Sequence, residues 1–417
     1  MEGSLESSSW WKGTSREKLQ RYEHQLKEIS GVDPDLIDTY PVYFEFNQNY
    51  QEDVVKFDKN GNNPELEMGL LSPMEISDKD VDPYTGKVVK PRKKKIHSGC
   101  PCCWCMIPCC CSKKLKYKTT EFIMTYEFGD KSKPQIVMIH GFMGSAMVFF
   151  KLFKHLSERY HVIMIDLLGM GASSRPEFLA RTKVEAEDFY MQSIEKWRQK
   201  MGIERMNLIG HSFGGYLATR YSLRYPSKVN KLILWSPHGC EPKPEKYDEL
   251  LRQRRRESCK FNCFIGMMLC IFRNELKPYI LLRCFAKWLG PCLIKGFIRR
   301  RLSSLSDKEK AIIYRYFYQI TMIQNSGEKA IFKLMEQPIL AFTPLFNDLE
   351  DLTSNNIDVS FVYGDLDWID TDMSNTRISR KLIEAGYNVK YVKDSDHHLY
   401  FDNPEGLLET LDETMLA

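Results

Sequence analysis

A doubly wound, largely parallel α/β sheet with an inserted helical region is the fold class this 417-residue sequence predicts. Three observations carry that expectation. Short apolar runs of strand type alternate with helical patterns after residue 117 and again after residue 350, which is the signature of βαβ units. Between those stretches, from Cys240 to about Leu349, the alternation stops and the chain reads as helical, apolar and basic. Finally, Gly210-His211-Ser212-Phe213-Gly214 stands between the strand-like Met206–Ile209 and the helix-like Gly215–Tyr225. A serine on such a strand-to-helix turn is strained and projects its hydroxyl from the sheet edge, and the flanking glycines leave room for the turn.

Taken in order, residues 1–30 hold Trp10-Trp11 and then an amphipathic helix, with Leu19, Tyr22, Leu26 and Ile29 spaced by three and four and Ser15 as N-cap. Residues 31–95 are polar, acidic and rich in turn signals, and read as a largely disordered insert. Residues 96–116 are cysteine-rich and basic. Residues 117–239 form the first part of the sheet domain, with strands at Thr119–Phe128, Gln135–Ile139, Val162–Ile165, Met206–Ile209 and Lys231–Trp235 and a helix at Lys183–Lys200. Residues 240–350 form a helical cap. Residues 351–417 complete the sheet with strands Asp358–Tyr363 and Asn388–Val392, a helix around Met373–Ala385 and a last helix from Pro404.

The formal net charge of +4 gives a nucleic-acid partner no support. Met1–Ser9 has no apolar core of the secretory type. The longest apolar candidate, Phe261–Phe272, falls short of the roughly 18 residues a membrane span needs. If the protein meets a membrane, it is expected to lie on it or be anchored to it, rather than to cross it.

Seven of the thirteen cysteines crowd into Cys100, Cys102, Cys103, Cys105, Cys109, Cys110 and Cys111. Lys90 and Arg92–Lys95 precede the run, and Lys113, Lys114 and Lys116 follow it. Adjacent cysteines do not readily pair with each other, so a secreted disulfide framework is not expected. Cysteines flanked by basic residues suit S-acylation on a cytosolic membrane face, where acyl chains and charge together make two anchoring signals. Zinc is the main rival reading, on the C-x-x-C spacing of Cys102 and Cys105, but it lacks a second pair at domain spacing; a free cysteine-rich loop is the third. No metal site is expected.

A serine hydroxyl needs a base to accept its proton, and the base needs an acid to hold its tautomer. The acid belongs in the loop after Val359–Tyr363, at Gly364-Asp365-Leu366-Asp367-Trp368, where the carboxyl edge of a parallel sheet binds ligands. Asp367 is preferred over Asp365, with Asp370 and Asp372 as weaker candidates. The base belongs after Val389–Val392, where His397 is preferred over His398. The chain order Ser212, Asp367, His397 is that of the α/β-hydrolase triad. An oxyanion hole needs two backbone N–H groups, expected from Phe213 and from Phe142 in the loop His140-Gly141-Phe142-Met143-Gly144.

Several stretches resemble one family. They are His140-Gly141-Phe142, Asp166–Pro176, Gly210–Gly215, Tyr363–Asp370 and His397–Pro404, together with Gly290-Pro291, Arg299-Arg300-Arg301 and Asn325–Ala330 in the cap. From roughly Leu115 to Ala417 the chain is similar to the α/β-hydrolase-domain four and five family, whereas Gly31–Lys114 is not. A lipase co-activator in that family lacks the nucleophilic serine, and Ser212 is present here. The resemblance therefore implies the catalytic members, which hydrolyse acyl esters of phospholipids, lysophospholipids and N-acyl phosphatidylethanolamines. It also supplies a His-x4-Asp signature, His397 to Asp402, similar to that of lysophosphatidic acid acyltransferases. On the residues alone, Asp402 or Asn403 can equally cap the last helix ahead of Pro404.

These readings converge on a serine hydrolase of (lyso)glycerophospholipid acyl esters, acting as a monomer at a membrane or lipid-droplet surface inside the cell, the mitochondrion included. No cofactor is expected. Acyl-CoA enters only under the alternative of lysophosphatidic acid acyl transfer. A non-catalytic lipase regulator is the second alternative. Arg252–Arg256 and Arg299–Arg301 flank apolar helical stretches, which suits either a lid on an anionic surface or a cap packed over the sheet.

Overall fold

The computed structural model describes residues 15–50, 115–247, 249, 289–323, 326–336, 340–371 and 376–416. Residues 45–120 cluster as one compact unit, of which 45–50 and 115–120 are described, and residues 2–44 with 121–417 form the other. The cysteine run, Arg252–Arg256, Phe261–Phe272 and Asp372 lie outside the described residues.

Eight strands make one sheet: β1 (Asp38–Tyr50), β2 (Leu115–Phe128), β3 (Gln135–Ile139), β4 (His161–Ile165), β5 (Met206–His211), β6 (Val229–Trp235), β7 (Asp358–Gly364) and β8 (Asn388–Val392). Their order is β1-β2-β4-β3-β5-β6-β7-β8. β2 runs antiparallel to β4, and every pairing from β4 across to β8 is parallel. The strand order changes direction around β3, β4 and β5, and loops leaving the carboxyl ends there form a crevice. β3 and β4 are buried almost throughout. That is why they read as unbroken apolar runs rather than as alternation.

The described helices are α1 (Arg16–Ile29), α2 (Phe153–Arg159), α3 (Lys183–Lys200), α4 (Phe213–Arg224), α5 (Leu289–Arg301), α6 (Asp307–Met322), α7 (Ile331–Leu334), α8 (Leu349–Ser354), α9 (Ile378–Glu384), α10 (Leu399–Asp402) and α11 (Pro404–Leu416). Capping chemistry sets several starts. Thr182 and Ser306 each close a capping box with the glutamate three residues on, Glu185 and Glu309. Ser15 accepts the Lys18 amide at the start of α1. α1 buries Leu19 and Leu26, as its spacing predicts, and packs against the cap helix α6, where Gln319 accepts the Ser15 amide.

Two expectations need correction. Residues 31–95 were expected to be largely disordered, but Asp38–Tyr50 forms the edge strand β1. Its alternation was legible, with Val42, Phe44 and Phe46 buried while Tyr43 and Glu45 are exposed. Pro41 fits because an edge strand leaves one row of N–H groups outside the ladder. The helix expected from Met373 is described only over Ile378–Glu384.

Candidate active site

β5 ends at His211 and α4 begins at Phe213, so Ser212 alone makes the turn, at φ 54° and ψ −119°. This is a sparsely populated backbone region that persists only where the surroundings over-determine it. Here they do. The Ser212 amide donates to Trp235 O in β6, and the Ser212 carbonyl accepts the amides of Tyr216 and His238. A Cβ on Gly214 would come within 2.4 Å of His140 O and 2.6 Å of Ile139 O. Only glycine lets β3 and α4 approach this closely.

The loop between β8 and α10 brings His397 Nε2 to 3.0 Å from Ser212 Oγ. His397 Nδ1 lies 3.3 Å from Asp367 Oδ1. That is an ion-pair distance, at an angle outside hydrogen-bond geometry; such contacts often tighten once substrate binds. Asp367 caps the short turn after β7, its Oδ1 accepting the Ile369 amide at 3.0 Å. Burial pushes the Asp367 carboxyl up, but the His397 imidazole and the Ile369 amide together hold it below its ordinary range.

The other acids are engaged elsewhere. Asp365 accepts the Ser395 amide, and Asp370 accepts both the amide and the hydroxyl of Ser379. His398 stands beside the site and lines the pocket rather than meeting Ser212. Burial, then the neighbouring His397, pushes it down to about 3.

The two carboxyl-terminal candidates separate cleanly. Asn403 caps α11, its Oδ1 accepting the Gly406 amide at 2.9 Å. Asp402 accepts the Asp396 amide at 3.1 Å and the Ser304 hydroxyl at 3.2 Å. Asp402 thus braces the loop that carries His397, while Asp367 is the acid beside the imidazole.

Phe213 opens α4, so its amide has no acceptor within the helix and points with the helix dipole. Phe142 lines the same pocket, and the two rings meet edge-on at 5.9 Å. The Phe142 loop is fixed by a histidine whose function the sequence did not disclose. His140 Nδ1 donates to Gly141 O at 2.8 Å and Nε2 accepts the Leu167 amide at 3.0 Å. Burial pushes His140 down to about 4, so its ring is the neutral Nδ1–H tautomer. At Gly141 a Cβ would stand 2.9 Å from the His211 ring and 3.1 Å from Ser212 Cβ.

His211 was likewise visible only as the second residue of the pentapeptide. Its Nε2 lies 2.9 Å from His397 O, a carbonyl that can only accept, so Nε2 carries the proton. This bond ties the elbow to the loop bearing His397. Burial holds the His211 ring well below the ordinary histidine range.

A cavity of about 350 Å³ opens over Ser212. Phe142, Val148 and Phe401 line it from the sheet side, Phe317 from α6, and Leu293 and Phe297 from α5. A hydroxyl at hydrogen-bond distance from an imidazole, under an apolar cavity, can take an acyl ester with a hydrocarbon chain. Among the described residues there is no cluster of side chains suited to a metal ion, and no helix is long and apolar enough to cross a membrane.

The α/β-hydrolase-fold family model matches residues 134–257. The human (lyso)-N-acylphosphatidylethanolamine lipase is 32% identical over 272 residues, covering 64% of this chain and 75% of that protein. The human 1-acylglycerol-3-phosphate O-acyltransferase ABHD5 is 31% identical over 303 residues, covering 72% and 83%. Among solved structures, a bromoperoxidase from Bacillus anthracis is similar in fold, with a TM-score of 0.51 at 19% identity, covering 72% of this chain and 97% of that one. The eight-stranded sheet and the identity spread over most of two such relatives show that the chain belongs to the α/β-hydrolase-domain four and five family, with the α/β-hydrolase fold.

Proposed function

We propose that this protein is a serine hydrolase that cleaves carboxylic acyl esters of glycerophospholipids and lysophospholipids at a membrane surface. The observation that carries the proposal is the 3.0 Å approach of His397 Nε2 to Ser212 Oγ on a strained elbow under an apolar cavity. In this reading His397 takes the Ser212 proton as Oγ attacks the acyl carbonyl, and the amides of Phe142 and Phe213 receive the oxyanion. The imidazolium, stabilised by Asp367, then protonates the leaving alcohol. Water repeats the sequence on the acyl-serine. The reaction requires no cofactor. The relatives' names support a lipid substrate: one is called a (lyso)-N-acylphosphatidylethanolamine lipase.

A second reading has a specific support, since another relative is called a 1-acylglycerol-3-phosphate O-acyltransferase. The acyl-serine would pass to a lysolipid hydroxyl in place of water. Product analysis with lysophosphatidate, with and without acyl-CoA, separates the two. Surface anchoring through S-acylation of Cys100–Cys111 belongs to the same proposal, and acyl-exchange labelling that is insensitive to hydroxylamine would remove it.

Covalent labelling by a fluorophosphonate probe tests the central claim. Wild type should react and Ser212→Ala should not. An unreactive wild type would overturn the hydrolase reading.

A further inference from the structure

Among the described residues lining the cavity there is one guanidinium or ammonium group, that of Arg301 in the last turn of α5. Its Nη1 is 3.1 Å from Asp396 Oδ2, and its guanidinium lies 6.0 Å from the centre of the Trp368 ring. Trp368 in turn stands 5.3 Å, centre to centre, from the His397 ring, and Asp396 Oδ1 accepts the His397 amide at 2.8 Å. The cation is therefore one side chain removed from the base that meets Ser212. It sits on the same helix whose Leu293 and Phe297 line the apolar part of the cavity. An acyl chain held by that part, with its ester at Ser212, would leave the far end of the glycerol near Arg301.

We propose that Arg301 is a phosphate anchor that makes the site prefer acylglycerols bearing a phosphate over neutral acylglycerols, a proposal that rests on acyl-ester chemistry at Ser212. An arginine fork matches phosphate oxygens in a bidentate manner that a lysine does not reproduce. The present partner is easily exchanged. The side chains of Arg301 and Asp396 are 46% and 39% exposed, and exposed ion pairs are weak. Asp396 also sets the preference from the other side. A neutral head group leaves the Arg301–Asp396 pair closed, whereas a phosphate competes for the guanidinium.

Binding to Ser212→Ala protein tests this without turnover. Hexanoylglycerol 3-phosphate and hexanoylglycerol are used as free monomers, so that attraction to a charged surface contributes nothing. Adding Arg301→Gln should weaken the phosphate ligand about tenfold or more, with a much smaller change for the neutral ligand. Arg301→Lys should retain part of the preference, and Asp396→Asn should tighten the phosphate ligand by removing its competitor. Equal weakening of both ligands by Arg301→Gln, or of neither, would overturn the anchor, and so would a loss of phosphate binding in Asp396→Asn. A wild type that fails to react with a fluorophosphonate would defeat the hydrolase reading alone, because this measurement does not depend on turnover.

Discussion

Asp367 and Asp402 are both carboxylates near His397, and their positions assign them different work. Asp367 faces Nδ1 and is buried, while Asp402 holds the Asp396 amide one residue before the imidazole. Under the proposed mechanism Asp367 holds the tautomer of the imidazole, so replacing it should be far more damaging than loosening a loop. Asp367→Asn is expected to lower kcat on the order of 10⁴-fold. Asp402→Ala, which frees one loop amide, should cost about tenfold, comparable to the net worth of one hydrogen bond to a charged group. Steady-state hydrolysis of a soluble acyl ester measures both. Equal losses would mean that Asp402, not Asp367, governs the imidazole, and would favour the His-x4-Asp reading. Sequence order was enough to nominate Ser212 and the two loops that carry Asp367 and His397, because each follows a strand whose carboxyl end had to face one crevice; the distances around His397 are what separate Asp367 from Asp365 and His397 from His398. It was not enough for Asp402 and Asn403, since two adjacent polar residues before a proline are equally suited to capping. Nor could it pair Arg301 with Asp396, which are joined only by the way the cap folds over the sheet.

At the scale of elements, α1 carries a feature that periodicity did not announce. Glu23 lies on its buried face, 6% exposed, and accepts the Tyr126 hydroxyl at 2.8 Å; that hydroxyl is also 3.4 Å from Asp166 Oδ2. One phenolic proton cannot serve two carboxylates at once. Burial first, and then the charge of Asp166, push Glu23 up to about 8. Burial likewise pushes Asp166 up to about 6.

The sign follows from proton counts. Between the ordinary glutamate value of 4.5 and about 8, the folded protein holds a proton on Glu23 that the unfolded chain has released, so stability falls as pH rises through that window. Asp166 acts in the same direction but is finished by about pH 6. The depressed histidines His140 and His398 act in the opposite direction, and only below their ordinary value of 6.5. Between pH 6.5 and 8, Glu23 therefore contributes a slope of at most about 1.4 kcal/mol per pH unit. Glu23→Gln should flatten that slope and raise the urea midpoint at pH 8 above that of wild type. An unchanged slope would place the titration elsewhere. The hydrophobic spacing of Leu19 and Leu26 revealed the helix, but a glutamate on the same face reads as solvated until Tyr126 and Asp166 are seen beneath it.

At the scale of the whole molecule, a hydrolase of the proposed kind has to open the cavity over Ser212 to lipid. α5 has two apolar stripes. Ile294 and Ile298 are buried, while Leu293 and Phe297, one position earlier in each turn, remain 43% and 38% exposed at the cavity. Met143 and Trp368 are exposed beside the same opening, and the last turn of α5 is Arg299-Arg300-Arg301. Exposed large apolar side chains grouped around an opening mark an interaction site rather than random surface, and with arginines at the rim they suit an anionic interface. The sequence presented lid and packed cap as alternatives because it could not say which stripe faced inward; α5 buries Ile294 and Ile298 and leaves Leu293 and Phe297 exposed. Leu293→Asp with Phe297→Asp should abolish sedimentation with phosphatidylserine-containing vesicles, because two carboxylates replace the apolar stripe and face the same charge as the lipid. Raised ionic strength should weaken wild-type binding through screening of the arginines, yet leave the apolar contribution in place. Vesicle binding that survives the double substitution would move the docking surface away from the mouth of the active site, and lipid would then have to reach Ser212 by another route.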